Sequence, residues 1–217
     1  FSPTGSIAYT IRDGNDHSMV VVGKPGPRFA EVGPPVFAPD GKAYVTQVGS
    51  YRIAVFGSAR ASLITRIPAG SPARLASLTP EEVHGVNNAV FVHGLLFATN
   101  QDAGEVAVID PTQDKVVDLI RVGREPWEPY ETPDHTRVLV PNLADETVSV
   151  IDARSRKVLA TLPGGKDMTG LVVTADSKKA YLVRRGDDKL SVIDLERLQL
   201  SREIAVGKSP EVATRTA

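Results

Sequence analysis

The sequence predicts an all-β protein, a β-propeller of four-stranded antiparallel blades. Three observations carry this expectation. The pattern Val148-Ser149-Val150-Ile151-Asp152 returns as Val106-Ala107-Val108-Ile109-Asp110 and as Leu190-Ser191-Val192-Ile193-Asp194, placing isoleucines at 109, 151 and 193, 42 residues apart. A fixed period of that size marks a repeat architecture. Within each period, four short runs of β-branched and alternating apolar residues are parted by turn residues, as in a meander of half-buried strands. The two ends are also complementary: the first copy lacks a first strand, and residues 208–217 resemble a first strand without the rest.

The elements follow in order. Residues 1–33 begin partway through a copy. Phe1-Ser-Pro-Thr-Gly5 matches Phe37-Ala-Pro-Asp-Gly41, Ile7-Ala-Tyr-Thr10 matches Ala43-Tyr-Val-Thr46, and Met19 to Val22 is a third strand. Residues 34–70 hold a complete copy, with an Asp40-Gly41 hairpin turn, a third strand at Ile53 to Phe56 and a fourth at Ser62 to Ile67. Residues 71–85 are an insertion, which stretches the spacing of third-strand anchors from 42 to 53 residues between Phe56 and Ile109. Inside it, Thr79-Pro80-Glu81-Glu82 predicts a capped helix start. Complete copies then span 86–123, 124–165 and 166–207. The expectation is one domain over residues 1–217 with about five blades, the tail 208–217 pairing with the N-terminal blade to close the ring. The alternative is a segment of a larger ring of seven or eight blades.

Composition narrows the function classes. Lys plus Arg number 25 and Asp plus Glu 26, so no general electrostatic drive pulls the chain toward nucleic acid or anionic membrane. No apolar run approaches the roughly 18 residues of a membrane span. The absence of cysteine excludes disulfides, Cys-ligated zinc, iron–sulfur clusters and covalent c-type haem within these residues. Nucleophile elbows, phosphate loops and paired-His zinc motifs are not present.

The repeat units resemble the YVTN-type bacterial β-propeller family. The likeness rests on Pro39-Asp-Gly-Lys-Ala-Tyr-Val-Thr46, Phe97-Ala-Thr-Asn100, Leu139-Val-Pro-Asn142, the Ser-Val-Ile-Asp copies, and the leading turns Gly123-Arg-Glu-Pro126 and Gly207-Lys-Ser-Pro210. The resemblance implies the propeller fold. It leaves function open, because such families hold surface and secreted binding proteins, lactonase-like enzymes and d1-haem-binding relatives.

In such a fold the loops joining strand 4 to the next strand 1, and strand 2 to strand 3, share one face. Seven residues there are the expected ligand contacts: His84, Asn87, Asn88, Trp127, Glu128, Arg184 and Arg185. The histidine and two amides can orient a polar ligand. Trp127 beside Glu128 offers a stacking surface with a carboxylate, and the arginine forks match a carboxylate or phosphate. Asn100 and Asn142, at the family's asparagine position, are expected to bond local backbone in turns. The reading is a non-catalytic binding or scaffolding propeller in the periplasm or outside the cell, without metal or cofactor. It recognises a protein partner or small ligand at the mouth of the ring, not nucleic acid, and fits a subunit of a larger complex. The alternative is a lactonase-like hydrolase or a d1-haem-type cofactor binder.

Overall fold

The structure is a computed structural model. It describes residues 8–13, 16–21, 24–29, 31–48, 50–57, 62–71 and 84–214. Phe1 to Gly5 and the helix start at Thr79 to Glu82 lie outside the described residues, as does the side chain of His17. Two compact units are present, residues 1–119 and 120–217. Among the described residues no helix is long and apolar enough to cross a membrane.

In the first unit, β1 (Ala8–Asp13), β2 (Asp16–Val21) and β3 (Lys24–Phe29) form a three-stranded antiparallel sheet. β4 (Glu31–Val32) and β5 (Val36–Phe37) both pair with β6 (Lys42–Val48), which continues into β7 (Arg52–Gly57) and β8 (Ser62–Pro68). The first strand is thus split in two by Gly33-Pro34-Pro35, since proline has no N–H to give the ladder. Four strands then form a complete blade: β9 (Val86–Val92), β10 (Leu95–Asn100), β11 (Glu105–Asp110) and β12 (Lys115–Arg121). The second unit holds two such sheets. One is β13 (Tyr130–Glu131), β14 (Arg137–Asn142), β15 (Thr147–Asp152) and β16 (Lys157–Pro163). The other is β17 (Met168–Val173), β18 (Lys179–Arg184), β19 (Lys189–Asp194) and β20 (Gln199–Ala205).

The period reaches into the backbone. Left-handed residues recur at His93, His135 and Ser177, at Asp114, Arg156 and Leu198, and at Gly104, Glu146 and Asp188, each set at the 42-residue spacing. The Asp40-Gly41 hairpin is present, with Gly41 at φ 82°.

Packing runs sheet against sheet. In the first unit Tyr44, Ile53, Val55 and Ile67 meet Val86, Leu96, Ala98, Ala107 and Ile109. In the second, Leu139, Val148, Val150 and Leu162 meet Leu171, Val173, Ala180, Leu182 and Ile193. A strand such as 148–152 was expected to be half-buried, and here the structure differs: Ser149 and Ser191 are as buried as the valines beside them. The polar positions of these strands face a second packed surface, where Ser149 Oγ accepts from Asn142 Nδ2 and Ser191 Oγ from Arg184.

The tail also differs from expectation. Residues 206–214 form no strand. Pro210 has no N–H, and the Pro210 and Glu211 carbonyls accept instead from the Thr169 hydroxyl at 3.5 and 2.8 Å.

Candidate functional site

The site residues are set by one local feature that recurs. In β9, Val86 pairs with Asn100 and Ala89 with Ala98, so Asn87 and Asn88 together stand opposite Thr99 alone. This is a β-bulge, which re-aims side chains at the start of a strand. Asn142 bridges to Pro126, and Arg184 pairs with Met168 before the register shifts. By this register Asn87-Asn88 corresponds to Trp127-Glu128 and to Thr169-Gly170. Two of the pairs picked out from the sequence are therefore the same position in successive blades.

Each bulge sits beside a loop held by an aspartate. The Asp102 carboxylate accepts from the His84 and Gly85 amides at 2.9 and 2.7 Å. Asp145 accepts from the Arg124 amide at 2.8 Å, and Asp187 from the Lys166 amide at 3.0 Å. These acids join the loop after a second strand to the loop leading into the inner strand. The backbone N–H of Arg124 is the main cause that holds Asp145 below the ordinary carboxylate range, and that of Lys166 does the same for Asp187. A depressed folded-state pKa gives stability that is complete above the unfolded value of about 3.9 and is lost as pH falls through the lower folded value. The urea midpoint is therefore expected to fall as pH drops below about 4. The double variant D145N/D187N should show a flatter profile over the same range.

In the first unit, His84 is mostly exposed and its Nδ1 lies 3.0 Å from Asp102. Asn87 is buried. Its Nδ2 donates to Gln101 Oε1 at 2.9 Å, and its carbonyl accepts from the Thr46 hydroxyl at 2.6 Å. The Asn88 carbonyl accepts from Thr99 Oγ1, while its side-chain amide has no hydrogen-bond partner among the described residues. His84, Asn87, Asn88 and Gln101 thus share one loop end. Gln101 joins the residues expected at this end, and its signal in the sequence is its place directly after β10.

In the second unit, Trp127 is half-buried and donates its backbone N–H to Pro141. Glu128 is exposed, and its Oε2 accepts from the Tyr130 hydroxyl at 2.8 Å. Burial, reinforced by the Glu128 charge, pushes the Tyr130 phenol up and keeps it protonated as that donor. Arg184 and Arg185 turn to separate tasks. Arg184 is bound by Asp187, Ser191 and Glu203. Burial opposes its charge, but the bonds from Glu203 and Asp187 outweigh that and hold it above its ordinary value. Arg185 forks onto Asp167 at 2.6 and 3.1 Å and onto Glu211 at 3.0 Å. Both guanidiniums are thus committed to carboxylates of their own unit. Asn142 and Asn100 act on structure, but only the Asn100–Ala103 bond is the expected one to local backbone, the others reaching distant backbone or side chains. Asn142 joins Gly123, Thr147 and Ser149, and Asn100 joins Ala69 and Ala103.

Repeated four-stranded meanders packed face to face, with loops latched at one end of each sheet, define a β-propeller protein. The family model for the YNCE-like β-propeller matches residues 73–215, about two thirds of the sequence, and the chain belongs to that family. No curated protein matches the sequence. Among solved structures the chain is similar to hydrazine synthase of Kuenenia stuttgartiensis, with a TM-score of 0.64 and 14% identity over 79% of this chain and 48% of that one. At that identity the likeness is one of fold, and this chain spans about half the length of that relative.

Proposed function

We propose that this chain is a non-catalytic binding propeller, recognising a protein partner or a small polar ligand at the loop end of its blades. The observation that carries the proposal is the cluster at the start of β9. There a bulge presents Asn88, whose amide has no partner among the described residues, beside His84 and the Asn87–Gln101 pair, on a loop end that Asp102 ties through two backbone amides. Amides on a fixed backbone suit hydrogen-bonding ligands such as neutral glycans or peptide backbone. Asp102 beside this cluster already bonds backbone amides, as Asp145 and Asp187 do in the second unit, which supports a recognition role over acid–base chemistry. Trp127 and Glu128 supply a second contact surface in the second unit, with Arg184 and Arg185 shaping the loops near their own bulge. The same proposal places the protein in the periplasm or outside the cell, as a module of a larger assembly.

A thermal-shift screen against neutral oligosaccharides and short peptides tests the proposal. A ligand that raises the midpoint of the unaltered protein should bind N88A at least about tenfold more weakly, with the midpoint of free N88A unchanged. Lactone turnover, stoichiometric metal on elemental analysis or a haem band in the visible spectrum would overturn the non-catalytic reading.

A further inference from the structure

Asp102 holds a side chain as well as a loop. The two backbone amides it accepts, of His84 at 2.9 Å and of Gly85 at 2.7 Å, meet the same oxygen, Oδ2. The other oxygen, Oδ1, lies 3.0 Å from His84 Nδ1. The two side chains stand in opposite surroundings: that of Asp102 is 6% exposed and that of His84 is 62% exposed. A buried carboxylate thus grips one nitrogen of an imidazole that is otherwise open to solvent.

A carboxylate only accepts, so the Nδ1 that it faces carries a proton. In the neutral ring the other nitrogen, Nε2, is then a bare acceptor. Four residues on, at the bulge, the Asn88 side-chain amide offers both donors and an acceptor and has no hydrogen-bond partner among the described residues. The charge that the ring touches is negative, which disfavours an anion beside it.

We propose that Asp102 is a positioning residue that keeps neutral His84 protonated on Nδ1, so that Nε2 selects ligands by their hydrogen-bond donors. The chemical class is a neutral saccharide. One hydroxyl donates to Nε2, and a second, donor and acceptor at once, suits the Asn88 amide. A carboxylate or sulfate brings acceptors and negative charge to a nitrogen that itself accepts. The ligand class rests on the binding function proposed above, whereas the tautomer stands on the Asp102 geometry alone.

Long-range proton–nitrogen correlation spectra of isotope-labelled protein, recorded with the rings neutral, test both parts. The sequence has four histidines, and His84 is assigned by its loss in H84Q. The spectrum should show a proton on Nδ1 and a bare Nε2. In D102N the amide oxygen can keep both backbone bonds while the amide nitrogen donates to Nδ1, so the proton should move to Nε2. A proton on Nε2 in the unaltered protein, or one tautomer shared by both proteins, would refute the positioning role. If D102N does not fold, the spectrum of the unaltered protein decides the tautomer. Maltotriose, cellotriose, chitotriose, triglycine and sodium sulfate are then titrated separately, with the Nε2 resonance as the readout. At least one trisaccharide should shift it and bind D102N at least about tenfold more weakly, and sulfate should leave it in place. A shift with sulfate, or with triglycine and no trisaccharide, would sink the saccharide class and leave the binding function standing. No shift with any of the five would remove both.

Discussion

Gly85→Ala is expected to destabilise the first unit by about 3 kcal/mol, read as a lowered urea midpoint. Gly85 precedes β9 with φ 78°. A methyl group there would stand 2.3 Å from the Ser50 carbonyl oxygen and 2.7 Å from the Ser50 nitrogen. Both are backbone atoms, so no side-chain rotation relieves the clash. The Ser50 carbonyl is also the acceptor for the Val86 amide at 3.0 Å, so moving it breaks the join between two sheets. Glu125 and Asp167 take the same left-handed conformation ahead of later inner strands, and Ser209 takes it in the tail. The conformation alone therefore admits other residues, and the approach of Ser50 makes position 85 demand glycine. Replacing Ser209 by alanine should cost less than about 1 kcal/mol, and an equal cost at both positions would refute the close-approach argument.

Asn142→Ala is expected to cost about 3 kcal/mol in the second unit. Asn142 is fully buried. Its carbonyl oxygen accepts from Gly123 at 3.2 Å, and its amide donates to Thr147 and Ser149 at 3.0 Å each. Alanine leaves the buried Ser149 hydroxyl and the part-buried Gly123 N–H and Thr147 hydroxyl without this partner, and unsatisfied buried groups carry most of the cost. The same change made in an S149A background should cost about 1 kcal/mol less, because one orphan is already gone. Additive costs in that cycle would show that the Asn142–Ser149 bond contributes nothing.

Much of the fold was legible. The isoleucines at 109, 151 and 193 announce three copies of one strand, and the structure places each as the third strand of a four-stranded sheet. The Asp40-Gly41 turn is legible for a local reason, since its geometry depends on residues that are neighbours in sequence. The burial of Ser149 was not, because alternation shows two faces without showing that both are packed.

The candidate site was legible only as residue types. Asn87, Asn88, Trp127 and Glu128 stand out as polar or aromatic residues near a strand start, but the bulge that makes the two pairs equivalent is a property of register. The spacing between them is 40 residues rather than 42, because the His93-Gly94 turn is two residues shorter than the turn from Pro133 to Thr136. Arg184 and Arg185 look like one basic pair. Asp187 is a local partner three residues from Arg184, but Asp167, Glu203 and Glu211 lie 18 to 26 residues away, and only folding brings them within bonding distance.

By itself the sequence determined the repeat, the blade as its unit and the turn chemistry, since all of these arise from contacts within about 40 residues. Tertiary structure decided which polar groups are spent. Whether an aspartate latches a loop, an arginine is neutralised or an asparagine keeps a free amide depends on which atoms meet at about 3 Å, and hydrogen-bond strength falls away steeply beyond that distance.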